Sequence, residues 1–475
     1  MGAGSSPAWA HGMGYRYDLP IPLSFYIWGA GATVALSFLG FALFLRQEQG
    51  SLLFAEWRSR WRIANMVMSI TRMLGVGMLA LIIVAGIFGN QNPIRNIAPV
   101  AIWIIMWVGL GFLSMMLGDI WAAINPWNTV FTAADNFHRR VRSGAALSLG
   151  KHYPQWLGVW PAFVMFLLFA WMELVWSGRN VPAQLSATLL IYSIITWTGM
   201  FMFGRETWLE RGEVFRLVFG IFARCAPFAI SRDGRAVIVG RFPGAGLLED
   251  RPLTISMVAL VIALLATVTF DGFMETPLWA RVDIAVLDSA SDSSFWTMLD
   301  LREDQAVRLV RTIALIGAIM LFLAAYAIIC WIIAAISGDR EMRTGTVGYR
   351  FVLTLVPISI AYHVAHYFSY LFIGGQYAIP LVSDPLGLGW NLFGTATYLV
   401  DVGLVTPRLQ WAVAVISVVL GHVISVCLSH VTALRVFSSR RTALVSQIPM
   451  VLLMIGYTMI SLWILSQPIV ETPTG

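Results

Sequence analysis

Ten long apolar runs, recurring from one end of the chain to the other, decide what this sequence can fold into. A helix needs about 20 mostly apolar residues to cross roughly 30 Å of hydrocarbon. Runs of that order lie at 21–45, 66–88, 98–117, 156–176, 185–204, 254–273, 308–336, 350–373, 411–432 and 443–465. In lipid every backbone polar group must be satisfied inside the protein, so runs of this length predict helices. Composition agrees. Of 475 residues, 58% are hydrophobic and 12% charged, against about 25% charged in soluble domains, and the mean hydropathy is +0.75. The expected fold is an all-α membrane protein, one transmembrane domain spanning 1–475, built as a polytopic bundle of about ten helices. Its principal partner is the lipid bilayer.

The loops predict orientation. Arg46, Arg58, Arg60 and Arg62 follow the first run, and Arg139, Arg140, Arg142 and Lys151 the third. A cluster from Arg205 to Arg251 follows the fifth, Arg340, Arg343 and Arg350 the seventh, and Arg435, Arg440 and Arg441 the ninth. The stretch 274–307 is acidic instead, with Glu275, Asp283, Asp288, Asp292, Asp300, Glu303 and Asp304. Basic loops stay in the cytoplasm. The bias therefore places both termini, and the loops 274–307 and 374–410, outside, in a bacterial-type inner (cytoplasmic) membrane. The first run has no basic segment before it and reads as a retained helix rather than a cleaved signal. The net charge of +6 sits in membrane-flanking loops, which argues against a nucleic-acid partner. Cys225, Cys330 and Cys427 have no zinc-finger or CxxC spacing.

Between the runs, 205–224 mixes Trp208, Phe215, Phe219 and Phe222 with charges, as a helix lying among headgroups would. Residues 51–63 read as a shorter version, and 229–252 as a loop or small hairpin. The stretch Gly118–Trp127 contains Pro126, which breaks a helix. It is expected as an inner turn with an aromatic anchor, or as broken backbone lining a cavity. In 374–410, Gly374, Gly375, Pro380, Pro385, Gly387 and Gly389 argue against a long regular element. That segment is expected either as a plain connector or as a lid that brings Gln376 and Asp384 over the bundle.

Ionisable groups inside a bilayer are costly, and each asks for a reason. His363 and His366, three residues apart in the eighth run, share a helix face, and His422 in the ninth lies at a comparable depth. Imidazole suits zinc and other transition metals. These three are candidate metal ligands, with Asp271 or Asp384 as fourth ligand or catalytic base. A haem held by His363 or His366 and His422 is a second version. Interhelical hydrogen bonding with Tyr362, Tyr367 and Tyr370 is the bland alternative. A proton or metal relay in a transporter is another. Glu173, near the outer end of the fourth run, is a candidate proton carrier or an interfacial residue.

The segments HGMGYRYDLPIPLSFYIWGAGATVALSF near the start, NPIRNIAP (92–99), GDIWAAINPWNTVF (118–131), YHVAHYFSYLFIGGQ (362–376) and SDPLGLGWNLFG (383–394) carry a resemblance. The chain resembles a bacterial multi-pass membrane family known as fenitrothion hydrolase, B-type subunit. The resemblance implies hydrolysis of a lipophilic organophosphorus ester, and the name implies a membrane or periplasmic partner subunit. It supplies no catalytic residues to carry over. No GxSxG or HExxH motif is present. The expected function is metal-dependent ester hydrolysis at a buried histidine site. The alternatives are a transporter or permease, and a haem- or quinone-linked redox subunit.

Overall fold

A computed structural model of the chain describes residues 18–45, 57–62, 65–231, 237–248, 253–292, 296, 301–338 and 341–467. Its helices, in chain order, are α1 (Leu23–Phe44), α2 (Asn65–Phe88), α3 (Ile97–Leu117), α4 (Trp121–Ile124), α5 (Pro126–Val141), α6 (Trp160–Leu174), α7 (Pro182–Phe203), α8 (Arg205–Arg211), α9 (Val214–Ala223), α10 (Ile255–Met274), α11 (Pro277–Asp292), α12 (Glu303–Ser337), α13 (Thr344–Ser383), α14 (Pro407–Val436) and α15 (Arg440–Ser466). Among the described residues, ten helices are long and apolar enough to cross a membrane: α1, α2, α3, α6 (taken with the 3-10 turn before it, as Gln155–Leu174), α7, α10, α12, α13, α14 and α15. The protein is an all-α polytopic bundle, and the ten expected runs correspond one to one with these helices.

Two helices form the centre. In α10 and α13, 78% and 83% of the most apolar stretch is buried, against 17% in α1 and 22% in α12. The peripheral helices instead expose large apolar side chains, such as Ile313, Ile316, Met320 and Leu321 of α12, which is what a lipid-facing surface requires. Local sequence sets several starts. Thr254 caps α10 by accepting the Met257 amide, and Thr406 caps α14 with Pro407 in its first turn. Asn125 caps α5 ahead of Pro126. In the first turns of α12, Arg311 binds Asp283 at 2.6 Å and ties α11 to α12.

Three expectations change. First, 57–62 (WRSRWR) is a strand, β1 (Trp57–Arg62), not an amphipathic helix. Arginine at every second position is a strand period, not a helical one. With β2 (Phe228–Ser231) and β3 (Val237–Gly240) it forms an antiparallel sheet of order β1-β3-β2. The expected hairpin is therefore present. Residues 51–56, 63, 232–236 and 249–252 of those stretches lie outside the described residues. Second, 205–224 is two helices broken at Gly212, and α9 is inside the protein rather than among headgroups. Phe215, Phe219 and Phe222 are all buried there. Third, α13 continues to Ser383 through Gly374, Gly375 and Pro380. It does so by changing pitch, with a π-helical stretch at Tyr370–Gly374 and a 3-10 turn at Gly375–Tyr377.

The α13–α14 contact depends on Gly421. A Cβ there would lie 2.3 Å from Ala361 Cβ and 2.7 Å from the Pro357 carbonyl oxygen. Overpacking costs roughly 1–3 kcal/mol, which outweighs the ~1 kcal/mol that replacing a helical glycine returns. Gly421→Ala should therefore lower the melting temperature in detergent. Gly456→Ala in α15, where a Cβ meets nothing within 4 Å, should leave it unchanged or raise it. Equal effects of the two would refute this packing.

Candidate functional site

The polar residues of the central helices meet where α6, α10 and α13 converge. His366 Nε2 lies 2.9 Å from Asp271 Oδ2. The Tyr367 hydroxyl lies 2.6 Å from the same oxygen and 3.2 Å from Glu173 Oε1. Four side chains from three helices thus form one chain, His366–Asp271–Tyr367–Glu173. The His366 side chain is 3% exposed and Asp271 17%. Arg179 closes the Glu173 end by donating to the Glu173 backbone carbonyl at 2.5 Å.

Proton counting constrains this chain. A tyrosine hydroxyl has one hydrogen and otherwise only accepts. With that hydrogen on the nearer Asp271, the Glu173 contact is a hydrogen bond only when Glu173 itself carries a proton. The arrangement therefore accommodates a proton that can sit at either carboxyl.

His363 lies one turn below His366 on α13. Its ring packs on Tyr367 (centroids 4.8 Å apart) and is walled by Trp107, Phe112 and Phe222. The helix facing it carries Gly111, where a Cβ would stand 2.9 Å from His363 Nε2 and force the ring to shift. Among the described residues Nε2 has no hydrogen-bond partner. Beside the ring is a cavity of about 10 Å³, lined among others by Glu173, Tyr367, Thr267 and Ser359. That is the lower limit for a single water, and no porphyrin fits there.

The other candidates lie apart from this chain. His422 Nδ1 donates to the Val418 carbonyl at 2.8 Å and its ring packs on Tyr457. Asp384 accepts the amides of Leu388 and Gly389 (2.9 and 2.8 Å) and shapes its own loop. That loop is tied down. Gln376 bonds Tyr398 and both backbone groups of Asp401, and Leu386 accepts the Asn90 amide at 2.7 Å. No three His, Cys, Asp or Glu side chains among the described residues are grouped to hold a metal ion. The donor set expected from His363, His366 and His422 is therefore not brought together as a metal-binding group among the described residues. His366 is taken by Asp271, and His422 is turned to its own helix.

The sequence reading missed Glu213. It is fully buried, caps α9, and accepts from Phe215 N (3.2 Å), Arg216 N (2.8 Å), Trp121 Nε1 and Asn125 Nδ2 (both 3.0 Å), and the Tyr192 hydroxyl. Burial pushes its carboxyl above the usual range, and the Tyr192 and Trp121 hydrogen bonds pull back. The signal was present: a glycine, one acid, then ten residues almost all apolar is a capped helix start. The Gly118–Trp127 turn thus has a definite task, because Trp121 and Asn125 hold this carboxylate.

Compared with protein-family models, with curated proteins and with solved structures, the chain matches none. Its function rests on its own residues.

Tyr367→Phe tests the chain. Losing the shared donor leaves two partly buried carboxyl groups without their bridge, a cost of about 1–3 kcal/mol. The variant should melt several degrees lower in detergent, whereas Tyr349→Phe, at an exposed tyrosine, should not. Identical melting of wild type and Tyr367→Phe would show that the bridge contributes nothing.

Proposed function

We propose that the protein is a proton-coupled membrane transporter, with Glu173, Tyr367, Asp271 and His366 as its proton-exchange site. One observation carries this reading: a single hydroxyl, that of Tyr367, bridges two carboxyl groups inside the bundle, and one of them also holds an imidazole. Intramembrane acids and histidines in contact are the usual parts of proton relays. Each link can donate or accept, so a proton can pass along it without a charged group leaving its partners. Deeper polar groups on α13 favour the same reading. His363 and Ser359 line the small cavity, and Thr354, nearer the basic-loop end, binds Ser429 at 2.9 Å. In this reading the membrane is a bacterial inner membrane and the acidic loops face outward.

The family resemblance supports a second reading, hydrolysis of a lipophilic organophosphorus ester. The observation in its favour is the His366–Asp271 pair, a carboxylate-oriented imidazole suited to general-base work. It needs no metal.

Two experiments separate these readings. In proteoliposomes loaded with a pH-sensitive dye, an imposed diffusion potential should drive proton entry several-fold faster than with Asp271→Asn. Infrared difference spectra across roughly pH 5–8 should show a carboxyl band that Asp271→Asn or Glu173→Gln removes. Absence of both signals in the wild type would defeat the transport reading. Release of a phenol from fenitrothion by the purified protein, lost in His366→Ala, would select hydrolysis instead.

A further inference from the structure

Residues 137–156 carry chemistry that the proton site does not use. α5 buries Trp127 and Phe131 but leaves Phe137 69% and Val141 64% exposed at its end. Leu149 and Trp156, the latter 79% exposed, continue this apolar strip. Cations are interleaved with it: Arg139, Arg140, Arg142 and Lys151 are all exposed. Arg139 is paired with Asp135 at 2.8 Å. The side chains of Arg140, Arg142 and Lys151 have no hydrogen-bond or ion-pair partner among the described residues.

The strip is held at a fixed level. Ser143 and Gly144, both with positive φ (50° and 93°), reverse the chain after α5. Asp135 then accepts the Leu147 amide at 2.7 Å while holding Arg139. Those two partners keep its carboxyl below the usual carboxylate range, so the clasp is closed at neutral pH. The amides of Leu149 and Lys151 donate to the Phe201 and Met202 carbonyls at 2.7 and 2.8 Å. These carbonyls belong to the last turn of α7, so the strip lies level with the end of a membrane-spanning helix.

Exposed apolar side chains at the bilayer boundary, interleaved with unpaired cations, match a phosphate headgroup on an acyl chain. We propose that this segment is a binding site for anionic phospholipid, with Arg140, Arg142 and Lys151 on the phosphate and Phe137, Val141 and Trp156 against the chains. The shared chemistry is a phosphate, and the occupant is a lipid rather than free phosphate because Trp156 leads along the chain into α6, whose Val164 and Leu168 are themselves exposed apolar residues of a membrane-spanning segment.

The test is native mass spectrometry of the full chain, offered equal phosphatidylglycerol and phosphatidylcholine of one acyl composition. The wild type should retain phosphatidylglycerol preferentially, and added salt should weaken the preference. Arg140→Gln/Arg142→Gln/Lys151→Gln should lower the preference by roughly fivefold per cation removed. Arg95→Gln/Arg281→Gln/Arg408→Gln, an equal charge change on exposed residues of the opposite face, should keep it. Equal retention of both lipids by the wild type, or equal loss in the two triple variants, overturns the proposal. So does displacement of the lipid by millimolar inorganic phosphate, which would mark a free-anion site. Unchanged gel-filtration profiles and melting temperatures establish that the variants are folded.

Discussion

The Tyr367 hydroxyl between Asp271 and Glu173 is the contact on which the centre of this bundle depends. An apolar interior penalises an isolated charge heavily, and breaking a buried pair costs more than the pair returns. At this cluster the fold meets the constraint by making His366, Asp271, Tyr367 and Glu173 partners of one another. Because the partners come from α6, α10 and α13, satisfying them fixes how those three helices align. The irregular backbone belongs to the same solution. π-helical stretches at Val100–Gly109 and Tyr370–Gly374 flank the cluster, and a change of pitch turns neighbouring side chains by tens of degrees without breaking the helix.

Glu213 meets the same penalty differently, and the contrast separates structure from chemistry. Four of its five partners are N–H groups of backbone, indole or amide. These only donate, so they hold an acceptor in place and cannot pass a proton on. Asp271 and Glu173 are bridged by a hydroxyl, and Asp271 also meets an imidazole, both of which donate and accept. A carboxylate among fixed donors is an anchor, and here it seats α9 and so places Phe222 against His363. A carboxyl among exchangeable partners can hold or yield a proton.

The spans were legible because hydropathy over 20 residues is a bulk property that no single contact overrides. The sheet was not, because six residues of alternating arginine in WRSRWR also satisfy an aromatic-anchored connector until β3 supplies a partner. α9 was misplaced because phenylalanine among charges suits an interface as well as a core, and only the glycine–acid start at Gly212 and Glu213 told them apart. At the site, Asp271, Glu173, His363 and His366 were all legible as intramembrane ionisable residues. What the sequence lacked was helix adjacency. Asp271 was assigned to a metal and His422 to the same ion because depth along each helix was known and neighbours were not. Once α10 lies beside α13, Asp271 pairs with His366, while His422 turns its Nδ1–H to Val418.

Narrowness beside His363 is what would make this arrangement selective in the proposed role. The cavity beside His363 is about 10 Å³, room for at most one water, and its walls include Trp107, Phe166, Phe222 and Leu264. A hydrated sodium or chloride ion cannot enter such a space without losing its shell. In the proposed role a proton would move instead by exchange along bonds already formed, with the Tyr367 hydroxyl reorienting between Asp271 and Glu173. Gly111 matters for the same reason. By leaving out a side chain it makes room for the His363 imidazole, since a Cβ would stand 2.9 Å from Nε2, and the ring packs on Tyr367 of the site.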